Sequence, residues 1–243
     1  MANNFLGASH GADKLYQFSG FTTTINASIV KTDPAGIVWD GTDIYWGDVA
    51  GKCSRGTGFG GTVQSSFTIT GAPTVYGLDF IGTNLIHVES NTKVYQHTGF
   101  SSTIDSSFAI VGADFRGVAY DGTNVLTVDV TKVRKHSGFT TTILDSFTSA
   151  GAGFDCTWDG TNVYVQEIAT VRQYRQYSGF SSTVNSSFNY PVDTPSIGID
   201  WEGFPVPVVG PANLKTWNTL AKASVKTVNG LAIASVKTFN GLA

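Results

Sequence analysis

The chain has 243 residues, 41% hydrophobic and 14% charged, which excludes a disordered chain and allows one buried core of ~200 residues with an appendage. Its formal net charge is −3 and its 15 Lys and Arg form no cluster, so a nucleic-acid surface is not expected. No run approaches the ~18 apolar residues that span a bilayer, so a membrane partner is not expected either.

The chain opens Met-Ala-Asn-Asn-Phe-Leu-Gly, without the basic region, apolar stretch and small-residue cleavage site of a secretory signal. Residues 1–12 read as an N-terminal extension. From Lys14 onward a repeat takes over. Gly-Phe, preceded by Ser or Thr, falls at Phe21, Phe59, Phe100, Phe139 and Phe180, with successive steps of 38, 41, 39 and 41 residues. A large apolar residue follows each phenylalanine by eight, at Ile29, Phe67, Phe108, Phe147 and Phe188.

The unit from Arg116 to Phe147 shows the plan. Gly117-Val118-Ala119-Tyr120 and Val125-Leu126-Thr127-Val128 are short apolar strands around Asp121-Gly122-Thr123-Asn124, a hairpin turn in which glycine supplies a positive φ. A third strand runs from Val133 to His136, and an outer strand follows Ser137-Gly138-Phe139. Aligned on the turn glycines, every unit places an aromatic two residues earlier: Trp39, Phe80, Tyr120, Trp158 and Trp201. Gly36, Gly77, Gly117 and Gly198 precede those aromatics by three, with Asp155 as the exception. Glycine there predicts an innermost strand where backbones crowd.

Four antiparallel strands per ~40 residues is the signature of a propeller blade. The first elements, Lys14 to Phe21 and Thr22 to Ile29, match third and fourth strands, while Ser196 to Glu202 and Phe204 to Val209 match first and second. The two ends are therefore predicted to complete one blade, which removes free sheet edges. Residues 13–210 resemble five-bladed β-propellers, an all-β class that includes lectins, glycosidases, lactonases and scaffolds, so the fold alone assigns no activity.

After Pro211 the period changes to eleven. Leu214-Lys-Thr-Trp-Asn-Thr-Leu-Ala recurs as Val225-Lys-Thr-Val-Asn-Gly-Leu-Ala and Val236-Lys-Thr-Phe-Asn-Gly-Leu-Ala. Asn-Gly between segments rich in Val, Thr and Phe predicts strands joined by tight turns. Residues 211–243 are thus expected to be an attachment segment, with Trp217, Val225, Val228, Leu231, Ile233, Val236, Phe239 and Leu242 as the apolar positions that seek a partner. These repeats resemble C-terminal repeats of bacteriophage and prophage virion proteins, including tail-associated ones. The resemblance implies a virion component made in the host cytoplasm, joined to other virion proteins or identical subunits.

Among chemistry-bearing residues, Asp48, Glu89, Asp129 and Glu167 lie seven residues past the turn glycines of four units, and are expected to pair with Lys52, Lys93, Lys132 and Arg172 across their own loops. The Asp-Gly-Thr-Asn turns supply too few oxygens for calcium and read as turns. His97, His136 and Tyr177 share one repeat position just before Gly-Phe, as candidate ligand-facing aromatics or packing residues. Asp79, Asp155 and Asp200 on inner strands are the nearest match to the paired carboxylates of a glycosidase. Blades of nearly equal length, with no nucleophile, metal or phosphate motif, point instead to a non-enzymatic structural protein without a cofactor. The alternative is a carbohydrate-binding propeller with one weak site per blade and a host-surface glycan as partner. Cys53 and Cys156 stand alone and are expected as reduced, packed thiols.

Overall fold

The computed structural model describes residues 4–60, 62–69, 74–89, 93–110, 114–168, 171–190 and 196–202, and, in a second compact unit from Val209 to Ala243, residues 227–228 and 231–232. In the first unit, Met1–Val208, the chain begins with β1 (Phe5–Ser9), β2 (Lys14–Phe18) and β3 (Ile25–Val30). Four complete meanders follow. They are β4 (Pro34–Trp39), β5 (Ile44–Asp48), β6 (Lys52–Gly56) and β7 (Val63–Thr68); then β8 (Val75–Ile81), β9 (Asn84–Glu89), β10 (Lys93–His97) and β11 (Ile104–Ala109). Next come β12 (Gly117–Tyr120), β13 (Val125–Val128), β14 (Lys132–His136) and β15 (Ile143–Thr148), and β16 (Ala152–Trp158), β17 (Val163–Ile168), β18 (Arg172–Tyr177) and β19 (Val184–Asn189). The last strand among the described residues of this unit is β20 (Ser196–Trp201).

Each meander is one antiparallel four-stranded sheet, and the fifth sheet has the order β20-β1-β2-β3. The innermost strands β20, β4, β8, β12 and β16 pack on one another in turn, and β16 returns to β20. The fold is a five-bladed β-propeller, as the repeat predicts. No helix among the described residues is long and apolar enough to cross a membrane.

Closure departs from the expected division. The second strand of the closing blade is β1, which pairs Leu6 with both Gln17 of β2 and Asp200 of β20. Residues 5–9 are therefore part of the blade and not an extension, while 204–209 lie outside the described residues. Phe-Leu-Gly-Ala-Ser is buried along its whole length, so it lacks the apolar and polar alternation of a half-buried strand. Glu202 latches the two ends: its backbone N–H donates to the Asn4 carbonyl at 2.8 Å and its carboxylate accepts from Gln17 Nε2 at 2.6 Å.

The repeated apolar positions meet across seams between blades. The Gly-Phe rings pack edge-on against the outer-strand ring of the preceding blade: Phe21 on Phe188 at 4.8 Å, Phe100 on Phe67 at 4.9 Å, Phe139 on Phe108 at 4.9 Å and Phe180 on Phe147 at 5.1 Å. Two positions eight residues apart in sequence thus serve opposite faces of one blade. This is why no blade buries its core alone.

The inner glycines are required by close approach of backbones. A Cβ at Gly198 would lie 2.3 Å from the Ala35 carbonyl oxygen, one at Gly36 2.6 Å from that of Tyr76, and one at Gly77 2.5 Å from the Val118 nitrogen. Replacing Gly198 by Ala forces β20 away from β4 and is expected to cost about 1–3 kcal/mol. A denaturant midpoint equal to that of the parent protein would contradict this packing.

Candidate functional site

Three carboxyls sit on the inner strands and join one blade to the next. Asp79 accepts from the Phe80 N–H and, across the seam, from the Tyr120 N–H, both at 2.6 Å. Asp155 accepts from Cys156 and across the seam from Ile199, both at 2.9 Å. Asp200 accepts from the Trp39 N–H at 2.6 Å and from the Thr157 hydroxyl at 2.9 Å. Asp155 occupies the slot that is glycine in the other blades and uses it to reach β20.

Asp155 and Asp200 are buried, whereas Asp79 keeps some surface open to solvent. Desolvation raises all three above the usual carboxylate range, Asp200 to about 7, and the mutual repulsion of Asp79 and Asp200 raises Asp79 further. Their oxygens are engaged by backbone N–H groups and a hydroxyl, so these residues act as staples of the ring. The pair of freely acting carboxylates that glycoside hydrolysis needs is not formed by them.

A different cluster forms where the inner strands begin. Three of the innermost strands, β4, β8 and β16, carry a β-bulge at one equivalent place: the register shifts between Pro34 and Ile37, between Val75 and Leu78, and between Gly153 and Asp155. Bulges re-aim side chains and recur beside functional sites. The residues so placed include Tyr76 and Phe154, and Arg116 holds the equivalent position before Gly117. The Arg116 guanidinium lies 4.4 Å from the Phe154 ring centroid and 5.7 Å from that of Tyr76, and Nη2 meets Asp114 Oδ2 at 2.9 Å. Rings from the blades on both sides of Arg116 reach it because the sheets converge there, at one mouth of the central channel. All three residues are half-buried.

Sequence reasoning missed this cluster, although a signal was present. The position before the inner glycine is Ala35, Tyr76, Arg116 and Ile197, with Phe154 before Asp155, a different residue in every blade.

The expected ligand-facing residues have other surroundings. His97, His136 and Tyr177 are buried in seams, 5.4 Å from Phe67, 5.1 Å from Phe108 and 5.0 Å from Phe147 by ring centroid. The third strand is covered there by the preceding blade, so the packing alternative holds. His97 Nε2 lies 3.0 Å from His87 Nδ1, and His136 Nε2 lies 3.0 Å from the Thr127 hydroxyl. Burial depresses these imidazoles, His136 to about 4 and His87, beside His97, to about 3. The equivalent rings that a one-site-per-blade lectin would present are thus engaged in packing.

The loop acids act locally but with other partners. Asp129 accepts from the Thr131 and Lys132 N–H groups and pairs with Arg134, and Glu167 pairs with Arg175 at 3.3 Å and with the Tyr177 hydroxyl. Asp48 accepts from the Ala50 and Lys52 N–H groups at 2.9 Å. Backbone donors already held in the tight loop take these carboxylates in preference to flexible lysine ammoniums. The Glu89 side chain lies outside the described residues. The Asp-Gly turns are turns: Asp40 and Asp159 each accept from two backbone N–H groups and from a tyrosine hydroxyl, Tyr45 or Tyr164, at 2.6 Å.

In the C-terminal unit, Thr227 pairs with Ala232 and Val228 with Leu231, antiparallel. Trp217, Val225, Ile233, Val236, Phe239 and Leu242 lie outside the described residues.

No family model matches the chain, and no curated protein matches it in sequence. Solved structures do match. A chain of a Nidogen/Laminin complex aligns with a TM-score of 0.56 at 14% identity, over 82% of this chain and 98% of that one. A Bacteroides caccae protein of unknown function aligns with a TM-score of 0.51 at 12% identity, over 78% and 73%. The Neurospora crassa Pan2 WD40 domain aligns with a TM-score of 0.49 at 11% identity, over 65% of this chain and half of that one. At such identities the likeness is one of fold alone.

Proposed function

We propose that the protein is a non-enzymatic interaction scaffold, that its C-terminal repeats attach it to identical subunits or other proteins of a bacteriophage-type particle, and that the virion is where it resides. The observation that carries this reading is the repeat unit itself: one of three similar eleven-residue units pairs Val228 with Leu231 in a two-stranded antiparallel ladder, with Asn-Gly between them in the sequence. A two-stranded hairpin is marginal in water, so such units gain stability by pairing with further strands. The inner carboxyls are spent on joining blades, which fits a scaffold better than a hydrolase. The matched fold in the Nidogen/Laminin complex is likewise a component of a protein assembly.

Deleting residues 211–243 is expected to leave a folded propeller with unchanged melting that no longer assembles, read by light scattering and by incorporation into particles. Full incorporation of the shortened protein would overturn the attachment role.

A further inference from the structure

We propose that the channel mouth at the start of β8, β12 and β16 docks an acidic peptide segment of a partner protein, with the Arg116 guanidinium as anchor. Arg116 is held for this from three sides, by Phe154, Tyr76 and Asp114. Asp114 takes Nη2 alone. The other guanidinium N–H groups meet no acceptor among the described residues, and 24% of the side chain stays exposed. A planar fork with free N–H groups matches a carboxylate by two parallel hydrogen bonds, and stacking on an aromatic face fixes the fork beforehand. Tyrosine and arginine at a desolvated centre are also the residue types that dominate protein–protein binding.

A second observation selects the charge of the partner. Lys52, Lys93 and Lys132 are exposed and open the third strand of three blades, and in a four-stranded meander the first and third strands start on the same face. Lys52 and Lys132 make no ion pair among the described residues, because Asp48 and Asp129 are already engaged by backbone N–H groups and Arg134; Lys93 stands opposite Glu89, whose side chain lies outside the described residues. These ammoniums stand on the face where the inner strands begin, and they steer an anionic partner toward it. The inner carboxyls are raised by burial, which weakens their repulsion of that partner. The site involves the propeller alone, so its failure would leave the attachment role of the C-terminal repeats standing.

The test uses the full chain and a fluorescein-labelled hexaglutamate peptide, followed by anisotropy at roughly 50 mM salt, where exposed charges are weakly screened. Saturable binding is expected, with no binding of the hexaglutamine counterpart. Arg116→Gln should weaken binding about tenfold or more, a loss of ~1.4 kcal/mol or greater. The combined variant Lys52→Glu, Lys93→Glu, Lys132→Glu should weaken it and flatten its salt dependence. Arg55→Gln, beside the turn at the opposite end of its blade, should change nothing. Equal binding of hexaglutamine, or unchanged binding by a folded Arg116→Gln variant, would overturn the proposal. So would tighter binding of a sulfated hexasaccharide than of the peptide. If Arg116→Gln does not fold, the lysine variant decides: undiminished binding there overturns the proposal.

Discussion

Deleting residues 1–9 is expected to yield unfolded or aggregated protein. The deletion removes β1 from between β20 and β2, leaving two open strand edges inside the closing blade. It also empties the most aromatic seam of the ring. Phe5 is fully buried, with the rings of Tyr174, Phe21 and Trp201 at 5.0, 5.3 and 5.4 Å and those of Tyr164, Phe18 and Phe188 within 6.2 Å. Even the single change Phe5→Ala should cost ~3–5 kcal/mol, as expected for a large ring lost from a packed site. Circular dichroism and gel filtration decide the point. A monomeric deletion variant with unchanged melting would refute closure through β1.

The second large effect is a gain: Asp200→Asn should stabilise the protein at pH 8. The Asp200 carboxyl is raised from 3.8 to about 7 by burial, so its ionised form is disfavoured in the fold relative to the unfolded chain. Its contribution is fully present below pH ~4 and is lost as pH rises to about 7. Asparagine mimics the protonated acid: its amide oxygen can accept from the Trp39 N–H and its amide nitrogen can donate to the Thr157 hydroxyl. At ~1.4 kcal/mol for each pH unit by which the carboxyl is raised, the gain at pH 8 is roughly 2–4 kcal/mol, falling toward zero near pH 4. Asp79 and Asp155 shift in the same direction and deepen the loss on the alkaline side.

The buried histidines oppose this trend. His87, His97 and His136 are depressed below 6.5, so their contribution is present above that value and is lost as pH falls through their folded pKa values, about 3 for His87 and about 4 for His136. Stability should therefore peak in mildly acidic solution. Thermal melts of the parent and of Asp200→Asn across pH 4 to 8 separate the two terms. Parallel curves would mean that Asp200 is ionised in the fold without penalty.

What was legible in the sequence was whatever repeats. The Gly-Phe steps set the number of blades, the Asp-Gly turns set the hairpins, and Gly36, Gly77, Gly117 and Gly198 marked the crowded inner strands, because each depends on a local backbone condition met in nearly every unit. Everything that depended on how the sheets meet was decided only by the tertiary structure. β1 carries no repeat marker and is identified solely by its partners, among them β20, where Leu6 stands opposite Asp200 from 194 residues away. His97, His136 and Tyr177 are buried because the preceding blade covers them, which spacing within one blade does not encode. Arg116 becomes a candidate site because bulges and radial convergence bring Tyr76 and Phe154 to it from two other blades. Periodicity reports what each blade does alone, whereas seams and channel mouths arise from the rotation between blades.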